Sequence, residues 1–279
     1  EITVVDPTLW NAEQPYLYTL TLQAGAETIE QKVGIRTISV EDGKILINGK
    51  QVKFRGVNRH DSNPYTGAAV TREDVIRDLQ LMKESNVNAI RTSHYPNAPY
   101  FPALCSEYGF YMIAEADLES HGVGTLYTND GHDCMGYIAQ DDAWAESILD
   151  RQKRNVIRDK NQSAVIFWSL GNESGYGGNF EDAGRWVKAY DPTRLLHYEA
   201  SIYNSAGYHN DVSMLDVMSR MYADTEWVKE YCEDRRMRKP FIQCEFIHAM
   251  GNGKYTLKAV RRSKNGWGNA GVNDTTAPF

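Results

Sequence analysis

Short apolar runs that end in polar residues recur along most of the chain. The clearest is Val165–Leu170, whose mostly apolar side chains are typical of a strand buried on both faces. The polar pair Asn172-Glu173 and a glycine-rich turn follow it. Because an unpartnered buried carboxylate is costly, Glu173 is expected to have either an ion-pair partner or a chemical task.

Between these runs, apolar residues recur with helical spacing. Thr71–Asp74 resembles a capping box, and it begins a segment with Val75 and Leu79 on one face. About seven strand-then-helix units follow one another, and this alternation implies a parallel sheet. No glycine-rich phosphate fingerprint follows the first strand, so the pattern favours a (β/α)8 TIM barrel over a dinucleotide-binding sheet.

The two ends of the chain differ from this repeat. Residues 1–40 are predicted to form the last strands of a β-domain, because Tyr16–Leu22 is rich in β-forming residues. After this region, Asn48-Gly49 predicts a type I′ hairpin turn. Residues 41–279 are predicted to form the barrel. No eighth apolar strand is visible, so the barrel is expected to be truncated or degenerate after about residue 253.

Composition and charge exclude several classes of partner. A net charge of −7 and a pI of about 5.6 argue against nucleic acid and anionic membranes. No apolar run approaches the length of a membrane span. The four cysteines lack zinc-finger spacing and are expected to be free thiols. Free thiols fit a reducing compartment, so a cytoplasmic location is expected, with the periplasm as the alternative.

In a barrel, reactive groups lie at the carboxyl ends of the strands. Each polar residue at such an end could be structural, either a satisfied hydrogen-bonding group or half of an ion pair. Their number favours one shared active site instead. The residues are His60, His94, Glu119 with His121, Asn172 with Glu173, Glu199, Tyr222 and Glu245.

Glu173 and Glu245 are the best candidates for a pair of catalytic carboxyl groups, because each directly follows an apolar strand. Two such groups suggest glycoside hydrolysis, in which one protonates the leaving oxygen and the other attacks the anomeric carbon or activates water. The separation of the two groups distinguishes retention from inversion, and the sequence leaves that choice open.

A divalent cation is also suggested. Glu119 and His121 are two positions apart, so they point the same way on an extended chain, and Glu173 could complete a ligand set. Oxygen-rich ligands favour Mg²⁺. One histidine with two carboxylates would also suit a catalytic Zn²⁺ hydrolase, although no HExxH motif is present.

Five segments in this order resemble the motif series of glycoside hydrolase family 2, and the last two are similar to those of large bacterial β-galactosidases. The resemblance runs from about residue 6 to about residue 253. The segments are Gly56–His60, Ser93–Asn97, Glu119–Gly122, Gly171–Gly175 and Cys244–Asn252.

The resemblance implies a retaining glycosidase that cleaves terminal β-D-galactosyl residues by double displacement. Glu173 would be the acid/base and Glu245 the nucleophile. Tyr222 would orient Glu245, and Asn172 would bind the sugar 2-hydroxyl. The remaining implied residues are a galactose subsite of His60, His94 and His248 and a Mg²⁺ site of Glu119, His121 and Glu173.

The same resemblance implies a β-galactoside substrate, Na⁺ as a further candidate cation, and a homo-oligomer for the full-length protein. Residues 1–40 would be the C-terminal strands of an immunoglobulin-like sandwich. A β-glucuronidase-like activity is the alternative within the family. The second alternative is a catalytically inactive fragment that only binds carbohydrate, because no eighth strand is visible in the sequence.

Overall fold

The computed structural model describes residues 2–126, 136–202, 209–234, 238–247 and 272–274. Its central feature is a set of parallel strands, and helices alternate with most of them in the described residues, as the alternation of patterns predicts. The strands are β6 (Gly56–Arg59), β7 (Ala89–Thr92), β8 (Tyr111–Glu115), β9 (Val165–Ser169), β10 (Leu195–His197), β11 (Met218–Met221), β12 (Phe241–Glu245) and β13 (Val272–Asp274).

Six of these strands form one parallel sheet in the order β10-β9-β8-β7-β6-β13, and β11 pairs in parallel with β12. Two further hydrogen bonds join the sheet to this pair. The Asp216 amide donates to the Leu196 carbonyl at 3.0 Å, and the Asn58 side chain donates to the Cys244 carbonyl at 3.2 Å. The barrel class predicted from the sequence is confirmed.

The eighth strand corrects an expectation. Val272–Asp274 pairs in parallel with β6, with Val272 opposite Gly56, although the sequence predicts no eighth apolar strand. Only one of its three residues is apolar, so a search for apolar runs cannot detect it. The segment 248–271 that precedes it lies outside the described residues, and so does the predicted degeneration after residue 253.

Helices surround the strands. The first one has the predicted capping box, in which Thr71 and Asp74 bond each other's backbone amides, and it buries Val75 and Leu79 against the sheet. The helices are α1 (Arg72–Glu84), α2 (Phe101–Tyr108), α3 (His121–Leu126), α4 (Gly136–Gln140), α5 (Ala145–Asp159), α6 (Gly178–Tyr190) and α7 (Thr225–Glu233). In the part of the chain that the structure describes, none of them is long and apolar enough to cross a bilayer.

The first fifty residues form two small antiparallel sheets. The strands are β1 (Tyr18–Ala24) and β2 (Glu27–Val33) in one sheet, and β3 (Ile38–Glu41), β4 (Lys44–Ile47) and β5 (Lys50–Gln51) in the other. The predicted turn between β4 and β5 has positive φ at Asn48 and Gly49, 54° and 72°, as a type I′ turn requires. β3 lies across the domain boundary predicted at residue 40, and it pairs with β4 on the barrel side of that boundary. The boundary at residue 40 stays a prediction.

This N-terminal region contacts the barrel near the start of β9. The Arg36 side chain donates to the carbonyls of Ser163 and Val165, each at 2.6 Å. The fully buried Trp10 donates its indole N–H to the Ser106 carbonyl at 2.9 Å. Val165 is the first residue of β9, so the N-terminal region lies away from the carboxyl ends of the strands and leaves that end for a site.

The strand cores are buried on both faces, as the apolar runs indicate. Every residue of β7, β8 and β9 is buried, including the charged residues Arg91 and Glu115. Cys105 and Cys244 are buried free thiols, and Cys232 is an exposed one. Cys134 lies outside the described residues.

Candidate active site

Arg91, at the third position of β7, is the centre of the polar network at the carboxyl end of the barrel. Its guanidinium is fully buried and donates to Glu115 at 2.6 Å, to Asn172 at 2.7 Å and to Glu245 at 2.9 Å. A longer contact of 3.3 Å reaches Asn58. One side chain therefore connects β7 with β6, β8, β12 and the turn after β9.

Glu115, the last residue of β8, is the main counter-ion of Arg91. It is also bonded by the Ser169 hydroxyl at 2.7 Å and by the His94 ring at 2.8 Å. Burial raises the pKa of this carboxyl most strongly, but the charge of Arg91 and the contacts with His94 and Ser169 together outweigh burial and lower the pKa to about 2. The pKa of Arg91 is in turn raised, because Glu115 and Glu245 outweigh its own burial. The pair is therefore charged at neutral pH.

Glu245, the last residue of β12, has a donor on each carboxylate oxygen. Arg91 donates to Oε1, and the Tyr222 hydroxyl donates to Oε2 at 2.7 Å. His94 Nε2 lies 3.7 Å from Oε1. The side chain of Glu245 is 10% exposed, so its carboxylate is mostly buried and is held by these donors.

The turn that carries Asn172 and Glu173 is held against the loop after β8. The Asn172 amide N–H donates to the Leu118 carbonyl at 2.8 Å, and the Asn172 side chain donates to the Glu119 carboxylate. Gly171 has a φ of 142°, and a Cβ there would lie 2.7 Å from Leu118 atoms. Glycine is therefore required at this position for both conformation and space.

Glu119, His121 and Glu173 come together above this turn. One ligand atom from each lies within 4.8 Å of the others, and His121 Nδ1 is hydrogen-bonded to the Glu173 carboxylate. The reason for the convergence differs from the one expected, because His121 is the first residue of α3 rather than part of an extended segment. Desolvation raises the pKa of Glu119, although the Asn172 hydrogen bond opposes the shift. Two carboxylates and an imidazole form a plausible divalent-cation ligand set.

His60 and His94 contact each other edge to face at the rim, with ring centroids 5.4 Å apart. The His60 ring is also 5.8 Å from that of Tyr95. Of these rings, His94 lies beside Glu245, where a sugar hydroxyl could be bonded. His248 lies outside the described residues.

Two residues of β10 and its end complete the network. His197 is fully buried and contacts the Ser169 hydroxyl at 3.1 Å, and burial followed by the charge of Arg91 lowers its pKa to about 3. Glu199 is also buried, and it accepts a hydrogen bond from the backbone N–H of Glu173 at 2.7 Å. Burial raises the pKa of Glu199 to about 8, so this carboxyl is substantially protonated at neutral pH.

Sequence reasoning assigns no role to Arg91, Glu115 or His197, and it leaves Glu199 in the set of strand ends without a task. A charged residue inside an otherwise apolar strand was the available signal for Arg91 and Glu115, because an unpaired buried charge is costly. Their side-chain partners are 21 to 154 positions away in sequence, so the pattern could not name them.

Comparison with known proteins identifies the family. A model described as the TIM barrel domain of glycosyl hydrolases family 2 matches residues 38–264, and a second model described as glycosyl hydrolases family 2 matches residues 1–36. The chain belongs to glycoside hydrolase family 2. This membership removes the alternative of a hydrolase of another class, and the family match extends beyond residue 253.

Curated relatives in family 2 are named β-galactosidases. The chain is 50% identical over 272 residues to that of Actinobacillus pleuropneumoniae and 43% identical over 262 residues to that of Staphylococcus xylosus. These matches cover 90% and 94% of this chain, but 27% and 26% of the relatives. The chain therefore spans about a quarter of the length of the relatives it matches.

Solved structures of family 2 enzymes share the fold. A β-galacturonidase from Eisenbergiella tayi aligns with a TM-score of 0.74 at 21% identity, covering 100% of this chain and 53% of that one. A β-glucuronidase from Faecalibacterium prausnitzii aligns with a TM-score of 0.72 at 24% identity, covering 100% and 51%. At these identities the likeness concerns the barrel and not the substrate.

Proposed function

We propose that the protein containing this chain is a retaining β-galactosidase that releases terminal β-D-galactosyl residues by double displacement. The observation that carries the proposal is the oriented carboxylate of Glu245, which has Arg91 on one oxygen and Tyr222 on the other. Glu173 supplies a second carboxyl group at the same rim, next to Asn172, which is itself bonded to Arg91. The curated relatives named β-galactosidases support galactose as the sugar.

In the first step, a Glu245 oxygen attacks the anomeric carbon, and the glycosidic bond breaks. Glu173 gives its proton to the departing oxygen, so the aglycone leaves as a neutral alcohol and an ester links the sugar to Glu245. Glu173 is 32% exposed, so it can meet a leaving group at the rim, whereas Glu245 lies deeper at 10%. This difference in depth favours Glu245 as nucleophile and Glu173 as acid.

In the second step, Glu173 takes a proton from water, and the water oxygen attacks the anomeric carbon. The ester bond breaks, and its electron pair returns to Glu245, which is again the carboxylate bonded by Arg91 and Tyr222. The sugar has undergone two inversions and keeps its β configuration. Arg91, which is fixed by the buried network, and Tyr222, whose backbone N–H also donates to the Glu245 carbonyl, keep Glu245 in place throughout.

We propose that Mg²⁺ binds Glu119, His121 and Glu173. Their ligand atoms, within 4.8 Å of one another, could converge on one cation. Magnesium favours oxygen ligands, and two of the three side chains are carboxylates. When bound, the cation would supply positive charge beside Glu173 and Glu119. The Na⁺ implied by the resemblance and the homo-oligomeric state of the full-length protein stay predictions.

The test compares hydrolysis of an aryl β-galactoside and an aryl β-glucuronide by the full-length protein and by its Glu245→Gln variant. We expect the galactoside to be hydrolysed, and NMR to detect β-galactose as the first product. Preference for the glucuronide with loss of activity on Glu245→Gln would assign the sister activity. Formation of α-galactose first would contradict double displacement.

The isolated chain of residues 1–279 distinguishes the remaining alternative. Turnover stimulated by Mg²⁺ in the purified chain would show that it is catalytic by itself. Activity of the full-length protein without activity of this chain would support the inactive-fragment alternative for the piece alone.

A further inference from the structure

Glu199 is a buried carboxyl group placed directly behind the proposed acid/base. It is 1% exposed and begins the short 3₁₀ turn Glu199–Ile202 that follows β10. Its Oε1 accepts a hydrogen bond from the backbone N–H of Glu173 at 2.7 Å. The contact is therefore with the main chain of Glu173, and the Glu173 carboxyl is left free to face the rim and His121.

The backbone of Glu173 needs such a contact because its conformation is unfavourable. Its φ is 35°, in the left-handed region that residues with a side chain rarely adopt. Such a conformation is energetically costly and persists only where surrounding contacts impose it. A change of φ at this residue would also swing the direction of its side chain.

The neighbouring residue Tyr198 fixes the same turn two residues further along. Its hydroxyl, fully buried, donates to the carbonyl of Gly175 at 2.8 Å. The end of β10 thus bonds the turn on both sides of Ser174. β10 is itself paired with β9, with His197 opposite Ser169. The contacts that Tyr198 and Glu199 make with the turn therefore come from residues that directly follow a strand of the sheet.

We propose that Glu199 is a positioning residue that fixes the left-handed backbone of Glu173 and thereby aims the acid/base carboxyl at the glycosidic oxygen. The inference rests on the proposed role of Glu173 as acid/base. This role requires only that residue 199 place a hydrogen-bond acceptor next to the backbone N–H of Glu173. Glutamine offers such an acceptor at the same reach, leucine offers none, and aspartate offers one that is a methylene too short.

The experiment uses the full-length protein with Glu199→Gln, Glu199→Leu and Glu199→Asp. Its readout is kcat/KM for aryl β-galactosides whose leaving groups range from poor to activated. Misplacement of a catalytic group by about 1 Å can cost on the order of 100-fold in rate. We therefore expect Glu199→Leu to lose about 100-fold on poor leaving groups and much less on activated ones, because only the former need protonation. Glu199→Gln should stay close to wild type on both.

Glu181 provides a matched control. It is also a buried glutamate, and its Oε1 also accepts a backbone N–H at 2.7 Å, that of Asp211. Glu181→Leu should lower the thermal midpoint as Glu199→Leu does, without changing the dependence on leaving group. A purely structural role for Glu199 would give its variant this same pattern, and that result would overturn the proposal.

Two further outcomes are decisive. If Glu199→Gln loses as much as Glu199→Leu, charge matters and not the acceptor, and the proposal is wrong. If Glu199→Leu does not fold, Glu199→Asp takes its place, with the same selective loss on poor leaving groups expected. Crystal structures of the variants test the geometry independently of turnover, since φ of Glu173 should leave the left-handed region in the leucine variant and stay there in the glutamine variant.

A wild-type protein with no glycosidase activity would contradict the proposed function alone. The crystal structures would still decide whether Glu199 holds Glu173.

Discussion

Tyr222 bonds Glu245 twice. Its hydroxyl donates to Oε2 of the carboxylate at 2.7 Å, and its backbone N–H donates to the Glu245 carbonyl at 2.7 Å. The φ of Tyr222 is 48°, a conformation that only surrounding contacts can maintain in a residue with a side chain. The position of the carboxylate is thus linked to a neighbouring strand end through both main chain and side chain.

Tyr222→Phe should lower kcat/KM for galactosides by roughly ten- to a hundredfold, because a hydrogen bond to a charged group contributes about 1.5–3 kcal/mol. The backbone bond remains, so the fold should be unaffected. Tyr231→Phe is the control, since it removes a hydroxyl that donates to the Lys239 carbonyl instead of to Glu245. Equal losses in the two variants would argue against an orienting role for the Tyr222 hydroxyl.

Glu173→Gln should slow hydrolysis of galactosides with poor leaving groups by about 10²- to 10⁴-fold, the usual contribution of general acid catalysis. Activated leaving groups depart without a proton, so formation of the ester should be much less affected. Pre-steady-state release of an aryl leaving group measures this step. Equal slowing for both classes of substrate would contradict the role of acid.

Arg91→Met should destabilise the protein by about 3–5 kcal/mol, because it leaves the fully buried Glu115 without its counter-ion. Urea denaturation monitored by fluorescence measures the free energy of unfolding. Arg154→Met is the comparison, since that side chain is 79% exposed and pairs with Asp150 on the same helix. It should change stability by less than about 1 kcal/mol. Similar values for the two variants would show that the Arg91 network is not a major source of stability.

Stability should fall as the solution becomes acidic below pH 4.5, whereas between pH 6.5 and 4.5 His197 and Glu199 act in opposite directions. The pKa of Glu199 is raised from 4.5 to about 8, so in that window the folded chain holds a proton that the unfolded one lacks, and this adds stability as the pH falls. The pKa of His197 is lowered from 6.5 to about 3, so below pH 6.5 the unfolded chain binds a proton that the folded one does not. Each such proton removes about 1.4 kcal/mol of stability per pH unit. Glu115 acts in the same direction between pH 4.5, its ordinary pKa, and about 2, its pKa in the folded protein.

His197→Asn should therefore remove a slope of about 1.4 kcal/mol per pH unit from the dependence of unfolding free energy on pH between 6.5 and 4.5, because the opposing contribution of Glu199 is the same in both proteins. His209→Asn, at an exposed histidine, should leave the slope unchanged. A wild-type slope preserved in His197→Asn would mean that His197 is protonated in the folded state.

Removal of divalent cations with EDTA should lower kcat/KM, and added Mg²⁺ should restore it. Glu119→Gln and His121→Asn should both weaken Mg²⁺ binding, measured by calorimetry, because each loses one of three ligands. Metal analysis of the purified protein identifies the bound ion. Stoichiometric zinc, with no response to Mg²⁺, would reject the proposed ion.

The barrel could be predicted from sequence because its strands are marked locally. Runs such as Val165–Leu170 are buried on both faces and bounded by polar turns, and α1 begins with a complete capping box. β13 could not be predicted, since Val-Asn-Asp has no apolar pattern and its identity as a strand depends on pairing with β6.

The candidate site divides in the same way. Residues that face the rim, such as Glu173 and Glu245, are visible as polar breaks after apolar runs. Arg91 is not visible, because its importance comes from partners up to 154 positions away that meet only in the folded barrel. The convergence of Glu119, His121 and Glu173 was expected, but the local geometry was not, since α3 begins within that segment.

The depth at which Arg91 lies has a consequence for redesign of the enzyme. The ion pairs that Arg91 makes with Glu115 and Glu245 are buried, whereas His60 and Tyr95 contact each other at the rim. Libraries aimed at a different sugar can therefore randomise positions 60 and 95 and keep 91 and 115 constant. Such a library would search for new recognition while the parts that perform bond cleavage stay assembled.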